Sequence, residues 1–301
     1  MAAKVKRLRV DVVSLIKELE IIIKMMVNTK ISSKYRSVYK GKGLEFEDYR
    51  VYTEGDDASR IDWKASMRSN ETLIKMFKEE RNLNVHILLD TSSSMIFGST
   101  QKLKLEYAAE VAAAFAFFVL EANDKVGLIM FNDKIVRMIP PSSGRKQFYI
   151  ILNSLVNAAF YGGGHDLENA VKFLMKTSKE RGLLVIISDF IGFKGGWQNV
   201  LRMASMKFDV IGVMIRDPRD EVMPDEDVGQ IVLQNPYSSD VLLVSPKKIG
   251  EQYRKFVQAE EDAINKAFLK GNLDMMKLST AEPFIKPLVE FFMIRRKWAW
   301  R

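Results

Sequence analysis

The chain has 301 residues, of which 47% are hydrophobic and 28% charged, a composition typical of a folded globular protein. It contains no cysteine, which excludes disulfides, thiolate metal sites and cysteine nucleophiles, and its two histidines are too few for a histidine-rich zinc site. The net charge is +8, and residues 1–44 account for all of it, with eleven lysines and arginines against three acids. Any chemistry would therefore depend on carboxylates and hydroxyls.

The basic segment at residues 1–44 allows two interpretations. It is either a local docking surface for an acidic partner or a solvated helix face that keeps the protein soluble. Nucleic-acid binding through this segment is a weaker hypothesis, because only Tyr35 and Tyr39 lie among its basic residues and the rest of the chain is neutral. No stretch has the roughly 18–20 apolar residues of a membrane span. Charged residues at positions 11, 17 and 18 interrupt what would be a signal peptide, so we expect a cytoplasmic protein.

The first elements in chain order are a helix and a small β region. Apolar residues from Leu8 to Met26 recur at three-four spacing and predict an amphipathic helix, to which we assign residues 1–34. A glycine- and charge-rich region follows at residues 35–82. Within it, Asp48–Thr53 and Leu73–Lys78 have the composition of strands.

From about residue 84, apolar runs of strand length alternate with helical segments. We expect strands at Val85–Leu89, Val126–Phe131, Leu183–Ser188 and Phe208–Ile215, and helices at Leu103–Leu120, Lys146–Leu155, Leu167–Thr177 and Trp197–Met203. Continuous runs of valine, isoleucine and leucine are typical of parallel strands covered on both faces. The pattern predicts a doubly wound α/β domain with a mainly parallel sheet over residues 83–216.

The last segment, residues 217–301, is expected to form a β-hairpin and helices that pack on this domain. Short strands are indicated at Ile231–Leu233 and Val241–Val244, and helices at Gly250–Leu269 and Pro283–Ile294. The sequence contains no internal repeat.

Two of the expected strands end in an acid, at Asp90 and Asp189. In open α/β sheets, ligands bind beyond the carboxyl ends of the strands. Ser92 and Ser94 follow Asp90, and alternate residues of a short loop can face the same point, where Asp189 could join them. Such hard oxygen ligands suit Mg²⁺ or Mn²⁺. In the alternative interpretation, the serines cap the next helix and Asp90 bonds to loop amides.

Three segments carry a family resemblance. They are Asp90–Met95 after the first of these strands, the glycine-rich loop Gly162–Leu167, and Ile187–Phe190 at the end of a later strand. Together they resemble the metal-ion-dependent adhesion site of von Willebrand factor A domains. The upstream runs Glu45–Tyr52, Glu54–Asp57, Arg60–Ser66 and Lys78–Arg81 are similar to the signature of the domain-of-unknown-function family numbered 58, whose members have such a domain. The resemblance extends from about residue 40 to beyond residue 290.

The resemblance implies which residues would hold the metal. Ser92 and Ser94 would bind it directly. Asp90 and Asp189 would act through water or directly, and one coordination position would remain for a carboxylate from a partner. His165 lies where the family pattern has threonine, and imidazole suits Mn²⁺ or Zn²⁺ better than Mg²⁺. This substitution could change the metal, weaken its binding or leave a vestigial site.

Other polar residues favour structural roles. Asp166 is expected to be the N-cap of the helix that begins at Leu167, and His86 to be a buried strand histidine. The acids, arginine and tryptophan of the upstream signature are expected to form a packed turn; these are Asp56, Asp57, Arg60, Asp62 and Trp63.

The resemblance favours a non-catalytic protein-interaction module. Family members are commonly associated with AAA+ ATPases of the MoxR type, so the implied partners are such an ATPase and an acidic protein ligand. A metal-dependent hydrolase is the alternative, in which Asp90 attacks or a metal-bound water is activated, with His165 as acid or base. The sequence argues against the common aspartyl-nucleophile pattern of such hydrolases, because that pattern has a second carboxylate two residues after the first and this chain has Ser92 there.

Overall fold

The structure is a computed structural model that describes residues 8, 44–53, 55–69, 71–79, 83–192, 196–224, 228–238 and 240–298. The helix expected over residues 1–34 lies outside the described residues, apart from the buried Leu8. The chain divides into two compact units, one drawn from residues 27–83 and the other from residues 1–26 and 84–301. No helix in the described part of the chain has the length and apolar character needed to cross a membrane.

The smaller unit contains an antiparallel pair of strands, β1 (Leu44–Val51) and β2 (Leu73–Glu79), which confirms both expected strands. The short helix α1 (Trp63–Ser69) lies between them in the chain. Oδ1 of Asp62 accepts the N–H groups of Lys64 and Ala65, which satisfies amides that a helix start leaves without an internal partner. The sequence did not predict α1, because its seven residues are too few to establish an apolar period.

The larger unit alternates strands and helices. Its strands are β3 (Asn84–Asp90), β4 (Lys125–Phe131), β5 (Ile135–Ser142), β6 (Gly182–Ser188), β7 (Phe208–Arg216), β8 (Ile231–Gln234), β9 (Val241–Val244) and β10 (Asp274–Ser279). Its helices are α2 (Lys104–Glu121), α3 (Arg145–Leu155), α4 (Leu167–Thr177), α5 (Trp197–Ser205), α6 (Pro218–Glu221), α7 (Pro246–Lys270) and α8 (Ile285–Trp298).

Six of the described strands form one sheet in the order β10-β7-β6-β3-β4-β5, and β5 alone among these six is antiparallel to its neighbour. Helices such as α2 and α4 cover the central strands, whose side chains are almost entirely buried. The predicted doubly wound, mainly parallel α/β fold is therefore confirmed. Because Leu89 and Ile187 are completely buried, the polar residues that follow them are held at a fixed edge of the sheet.

Two strands of this sheet were not expected from the sequence. β5 contains Pro140 and Pro141, which fit its position as the antiparallel edge strand. β10 alternates buried and exposed residues, since only Met276 and Leu278 turn into the core, and it pairs in parallel with β7. The sheet therefore extends beyond residue 216, into the segment that we assigned to the C-terminal region.

Candidate functional site

The carboxyl ends of β3 and β6 place the candidate residues together. The two strands are parallel neighbours, so Asp90 and Asp189 lie at the same edge, and both side chains are buried. The glycine-rich loop packs against the serine loop, because the N–H of Gly162 donates to the carbonyl of Thr91 at 2.7 Å and the N–H of Gly163 donates to Oγ of Ser93 at 3.0 Å. We call the group formed by Asp90, Ser92, Ser94, His165 and Asp189, at the carboxyl ends of β3 and β6, the edge site.

Glycine is needed at position 163 of this loop. The residue has a φ of 94°, in the left-handed region, and a Cβ there would lie 2.9 Å from Nδ2 of Asn132. Nδ2 of Asn132 also donates to the carbonyl of Gly162 at 2.6 Å. The loop is thereby fixed against the end of β4, with His165 directed to the edge site.

Asp90 is bonded from three sides. Its Oδ1 accepts the N–H of Ser92 at 2.9 Å, and its Oδ2 accepts the hydroxyl of Ser188 at 2.6 Å. Nδ1 of His165 lies 3.2 Å from the same Oδ2. Burial would raise the pKa of Asp90, but these contacts, led by that with His165, hold the pKa below its usual value. Asp90 is therefore an ionised carboxylate, and it bonds to a loop amide as the alternative interpretation expected. The capping role of the serines in that interpretation is wrong, because Leu103 is the N-cap of α2 and the Ser92 side chain makes no capping bond.

Asp189 forms an ion pair inside the protein. Nζ of Lys104, the first residue of α2, lies 2.8 Å from Oδ2 of Asp189 and 2.9 Å from Oδ2 of Asp220. The remaining oxygen of Asp189 accepts the N–H of Ile191 at 3.0 Å. Burial would lower the pKa of Lys104, but the two carboxylates raise it above its usual value. Lys104 is therefore a buried ammonium group that the candidate site did not include.

One signal in the sequence pointed to Lys104. The positive end of the helix dipole lies at the N-terminus, so a lysine in the first turn is unfavourable unless carboxylates compensate for it. In α2, Lys104 begins a helix whose following residues are almost all buried. The acids that compensate for it follow later strands, and no local motif connects them to this helix.

Tyr237 covers the two serine hydroxyls. It lies in the turn between β8 and β9, and its hydroxyl is 3.3 Å from Oγ of Ser92, which is itself 3.2 Å from Oγ of Ser94. The ring lies over Gly192, where a Cβ would come within 2.9 Å of Cε2 of Tyr237. Burial raises the pKa of the Tyr237 phenol, and the nearby charges of the two acids add to this. Tyr237 was not predicted, because 145 residues separate it from Ser92.

Asp217, the residue directly after β7, bonds to the segment that follows Ser92 and Ser94 in the chain. It accepts bonds from the N–H and hydroxyl of Ser99, the hydroxyl of Thr280 and the N–H of Arg219. Burial would raise its pKa, but these bonds hold the pKa below its usual value. Asp217 thus connects the chain that follows the serines to the end of β10.

The structural roles expected for other residues are mostly confirmed. Asp166 is the N-cap of α4 and accepts the N–H of Asn169 at 2.8 Å, and His86 is buried with Nε2 3.2 Å from Oγ of Ser178. The packed-turn interpretation is wrong for Trp63, which is 66% exposed, and for Arg60 and Asp57, whose side chains are 56% and 58% exposed. Asp56 and Asp57 bond to Thr53 and Ser59, which are near them in the chain, whereas Asp62 accepts the hydroxyl of Tyr49 from β1 and pairs with Lys75 from β2.

The contacts of the two acids show whether the implied divalent cation fits. Each carboxylate oxygen of Asp90 and Asp189 already lies within 3.2 Å of a donor from this chain. A cation held by Asp189 would also share that carboxylate with the ammonium of Lys104. No group of three or more histidine, aspartate or glutamate side chains suited to a metal occurs among the described residues. The donor set as arranged does not fit the cation, and metal binding by Asp90, Ser92, Ser94, His165 and Asp189 stays a prediction.

Comparisons with known proteins identify relatives of unknown function. An uncharacterized protein of Mycobacterium tuberculosis is 26% identical over 287 residues, covering 94% of this chain and 90% of its own length. An uncharacterized protein of Mycobacterium avium is 27% identical over 164 residues, or 54% of this chain and 95% of its own. BatB from Bacteroides thetaiotaomicron is a structural neighbour with a TM-score of 0.47 and 16% identity, covering 71% of this chain and 98% of that one.

A second structural neighbour is an aerotolerance-related membrane protein from Bacteroides fragilis. Its TM-score is 0.45 and its identity 19%, with 66% of this chain and 92% of that chain covered. The family model described as "Protein of unknown function DUF58" matches residues 48–263, which is more than two thirds of the 301 residues. The chain therefore belongs to the DUF58 family, as the upstream signature and the edge residues predicted.

Proposed function

We propose that the chain is a non-catalytic protein-interaction module whose edge site accepts an acidic residue of a partner protein. The observation that carries this proposal is the pair of neighbouring hydroxyls of Ser92 and Ser94, 3.2 Å apart, with the Ser92 hydroxyl 3.3 Å from the phenol oxygen of Tyr237. Two hydroxyl donors that converge on one point suit an oxygen acceptor. A carboxylate accepts stronger bonds from them than a phenol does, because it is charged.

Binding at this point requires Tyr237 to move. Its hydroxyl lies 3.3 Å from Ser92 and 3.4 Å from the carbonyl of Ile191, so both bonds are at the long end of the range. The turn that carries it joins β8 and β9, a separate two-stranded sheet. A partner that draws this turn aside would replace the phenol oxygen with its own carboxylate.

Hydrolysis has less support from the same geometry. Both oxygens of Asp90 accept bonds from groups of this chain, so neither is directed outward as a nucleophile would be. His165 lies against Asp90, which holds the imidazole in the wall of the site. The edge site is better suited to binding than to turnover.

The family resemblance supplies the identity of the proposed partners. They are an AAA+ ATPase of the MoxR type and an acidic protein ligand, which the module would bring together in the cytoplasm. The resemblance also implies Mg²⁺ or Mn²⁺ at the edge site. Capture of the partner is therefore to be measured both with added metal and with a chelator.

The test takes the purified MoxR-type ATPase from the same organism as the partner whose acidic residue enters the edge site, and measures its capture by the immobilised full chain. We expect replacement of both hydroxyls, Ser92→Ala with Ser94→Ala, to weaken capture by about tenfold or more, since each bond to a charged acceptor contributes about 1.5–3 kcal/mol. Tyr237→Phe should strengthen capture, because it removes the competing hydroxyl. The matched control is Ser154→Ala, a buried serine in α3 that bonds to the carbonyl of Ile150. Unchanged capture by a folded double alanine variant would refute the proposal.

A further inference from the structure

We propose that Lys104 and His165 take the place of the divalent cation at the edge site, so that the site functions without a metal. This inference concerns the edge site, where the proposed function is located. It rests on the proposed function only for the statement that the site binds a partner's carboxylate. It is carried by the contacts of the two buried carboxylates with basic side chains.

Lys104 occupies a position built for a fixed positive charge. The side chains of Lys104 and Asp189 are 1% and 0% exposed, and Asp220 closes the other side of the ammonium with Oδ1 at 3.1 Å and Oδ2 at 2.9 Å. The ring of Phe97 lies 5.6 Å from Nζ, which adds a favourable contact with its face. A buried charge without a partner is strongly unfavourable, so Lys104 cannot leave without exposing both acids to an uncompensated interior.

His165 fills the position where the resemblance implies a threonine hydroxyl. Its Nδ1 lies 3.2 Å from Oδ2 of Asp90, and its ring packs between those of Phe131 and Tyr237, with centroids 5.9 and 6.4 Å away. The ring is thus held by packing as well as by the carboxylate. It provides no oxygen ligand, and its Nδ1 lies against Oδ2 of Asp90.

The two bases together determine whether a cation or a partner's carboxylate binds at the edge site. Oδ2 of Asp189 is paired with the ammonium of Lys104, and Oδ2 of Asp90 lies against the imidazole of His165, so basic side chains already occupy the positions that a cation would take at these oxygens. A divalent cation that used Asp189 together with the hydroxyls of Ser92 and Ser94 would have to displace Lys104 from Oδ2 of Asp189 or share that oxygen with it. The hydroxyls are therefore left to bind the partner's carboxylate directly.

The experiment is a titration of the purified full chain with MnCl₂, in which electron paramagnetic resonance distinguishes free from bound Mn²⁺. Wild type should bind no Mn²⁺ at concentrations around a millimolar, the affinity range of weak oxygen sites. The double variant Lys104→Met with His165→Thr should gain one bound Mn²⁺. Adding Ser92→Ala to the double variant should abolish that gain. Lys255→Met, which removes an exposed lysine of α7, should behave as wild type.

One bound Mn²⁺ in wild type, lost in Ser92→Ala, would overturn the inference. So would a folded double variant that gains no Mn²⁺, because the bases would then not be what excludes the cation. If the double variant does not fold, the wild-type titration decides: one bound Mn²⁺ that is lost in Ser92→Ala overturns the inference, and no bound Mn²⁺ supports it. No partner is present in this titration, so a failure of partner capture would refute the proposed function and leave the result on metal untouched.

Discussion

Two clusters of acids and bases in this protein have ion-pair distances within 0.1 Å of each other, but one is exposed to water and the other is buried. In the smaller unit, Arg50 and Asp56 are 2.7 Å apart, with side chains 46% and 21% exposed. In the larger unit, Lys104 and Asp189 are 2.8 Å apart and almost completely buried. Water screens the first pair, whereas the second must be complete to be tolerated at all. The distance alone therefore does not show how much an ion pair contributes to stability. The contribution depends on whether the strand or turn that carries the pair places it in water or in the interior.

The pKa values of the acids follow different causes in the two clusters. The pKa of Asp56 is lowered to about 2, first by bonds from the N–H and hydroxyl of Thr53 and then by Arg50, all of them near water. Asp90 has a lowered pKa although burial opposes it, because His165, Ser188 and Ser92 all bond to it. A lowered pKa is thus a property of a local turn in one unit and of the assembled fold in the other.

The largest expected effect comes from removing the buried ammonium. Lys104→Met leaves Asp189 and Asp220 without a positive partner, so we expect a loss of about 3–5 kcal/mol in the free energy of unfolding, measured in urea. The comparison variant is Lys255→Met, which breaks an exposed pair with Glu251 and should cost no more than about 1 kcal/mol. Equal losses in the two variants would show that burial does not distinguish these pairs.

A second large effect is expected from His86 as the pH falls. Burial first, and then the charge of Lys207, lowers its pKa to about 4 from an ordinary value of 6.5. The folded protein keeps this ring neutral while the unfolded chain protonates it, so the stabilisation is present above pH 6.5 and is lost as the pH falls to about 4. The loss is about 3 kcal/mol at most. The free energy of unfolding of wild type and of His86→Gln is measured at pH 7.5 and at pH 4.5. Its decrease between the two pH values should be smaller in His86→Gln than in wild type, and equal decreases would contradict the account.

A smaller effect is expected at the acid that supports the serine loop. Asp217→Asn removes the charge that accepts bonds from Ser99 and Thr280, which should cost about 2 kcal/mol near neutral pH. Because the folded-state pKa of Asp217 is lowered, its stabilisation is present above its ordinary pKa and disappears as the pH falls through the lowered value. The difference in the free energy of unfolding between Asp217→Asn and wild type should therefore become smaller as the pH falls. A difference that stays constant down to pH 2 would mean that charge is not the cause.

The smallest effect belongs to the exposed cluster. Asp56→Asn removes the partner of Arg50 and the acceptor for Thr53, both near water, so its melting temperature should change less than that of Lys104→Met or Asp217→Asn. Differential scanning calorimetry on the full chain checks this. A decrease in Tm as large as that of Asp217→Asn would show that the turn contributes far more than its exposure suggests.

Sequence reasoning predicted the parts of the edge site that depend on local patterns. Continuous apolar runs located β3 and β6, and the residues that end them, Asp90 and Asp189, follow directly from those strands. The spacing of Ser92 and Ser94 was enough to predict that the two hydroxyls face one point, and they lie 3.2 Å apart.

The partners of these residues depend on tertiary contacts that local patterns do not contain. Lys104 meets Asp189 across 85 residues of chain, and Tyr237 meets Ser92 across 145. β10 was missed for a related reason, since its few buried side chains become recognisable only beside β7. The predicted ligands could therefore be located from sequence, while the groups that occupy their oxygens could not.

The most direct test of the central claim is a crystal structure of the full chain grown with MnCl₂, with anomalous diffraction data used to locate manganese. The account predicts no anomalous peak beside Ser92 and Ser94, and Nζ of Lys104 between the carboxylates of Asp189 and Asp220. A manganese peak bonded to both serine hydroxyls, with Lys104 displaced from Asp189, would contradict it.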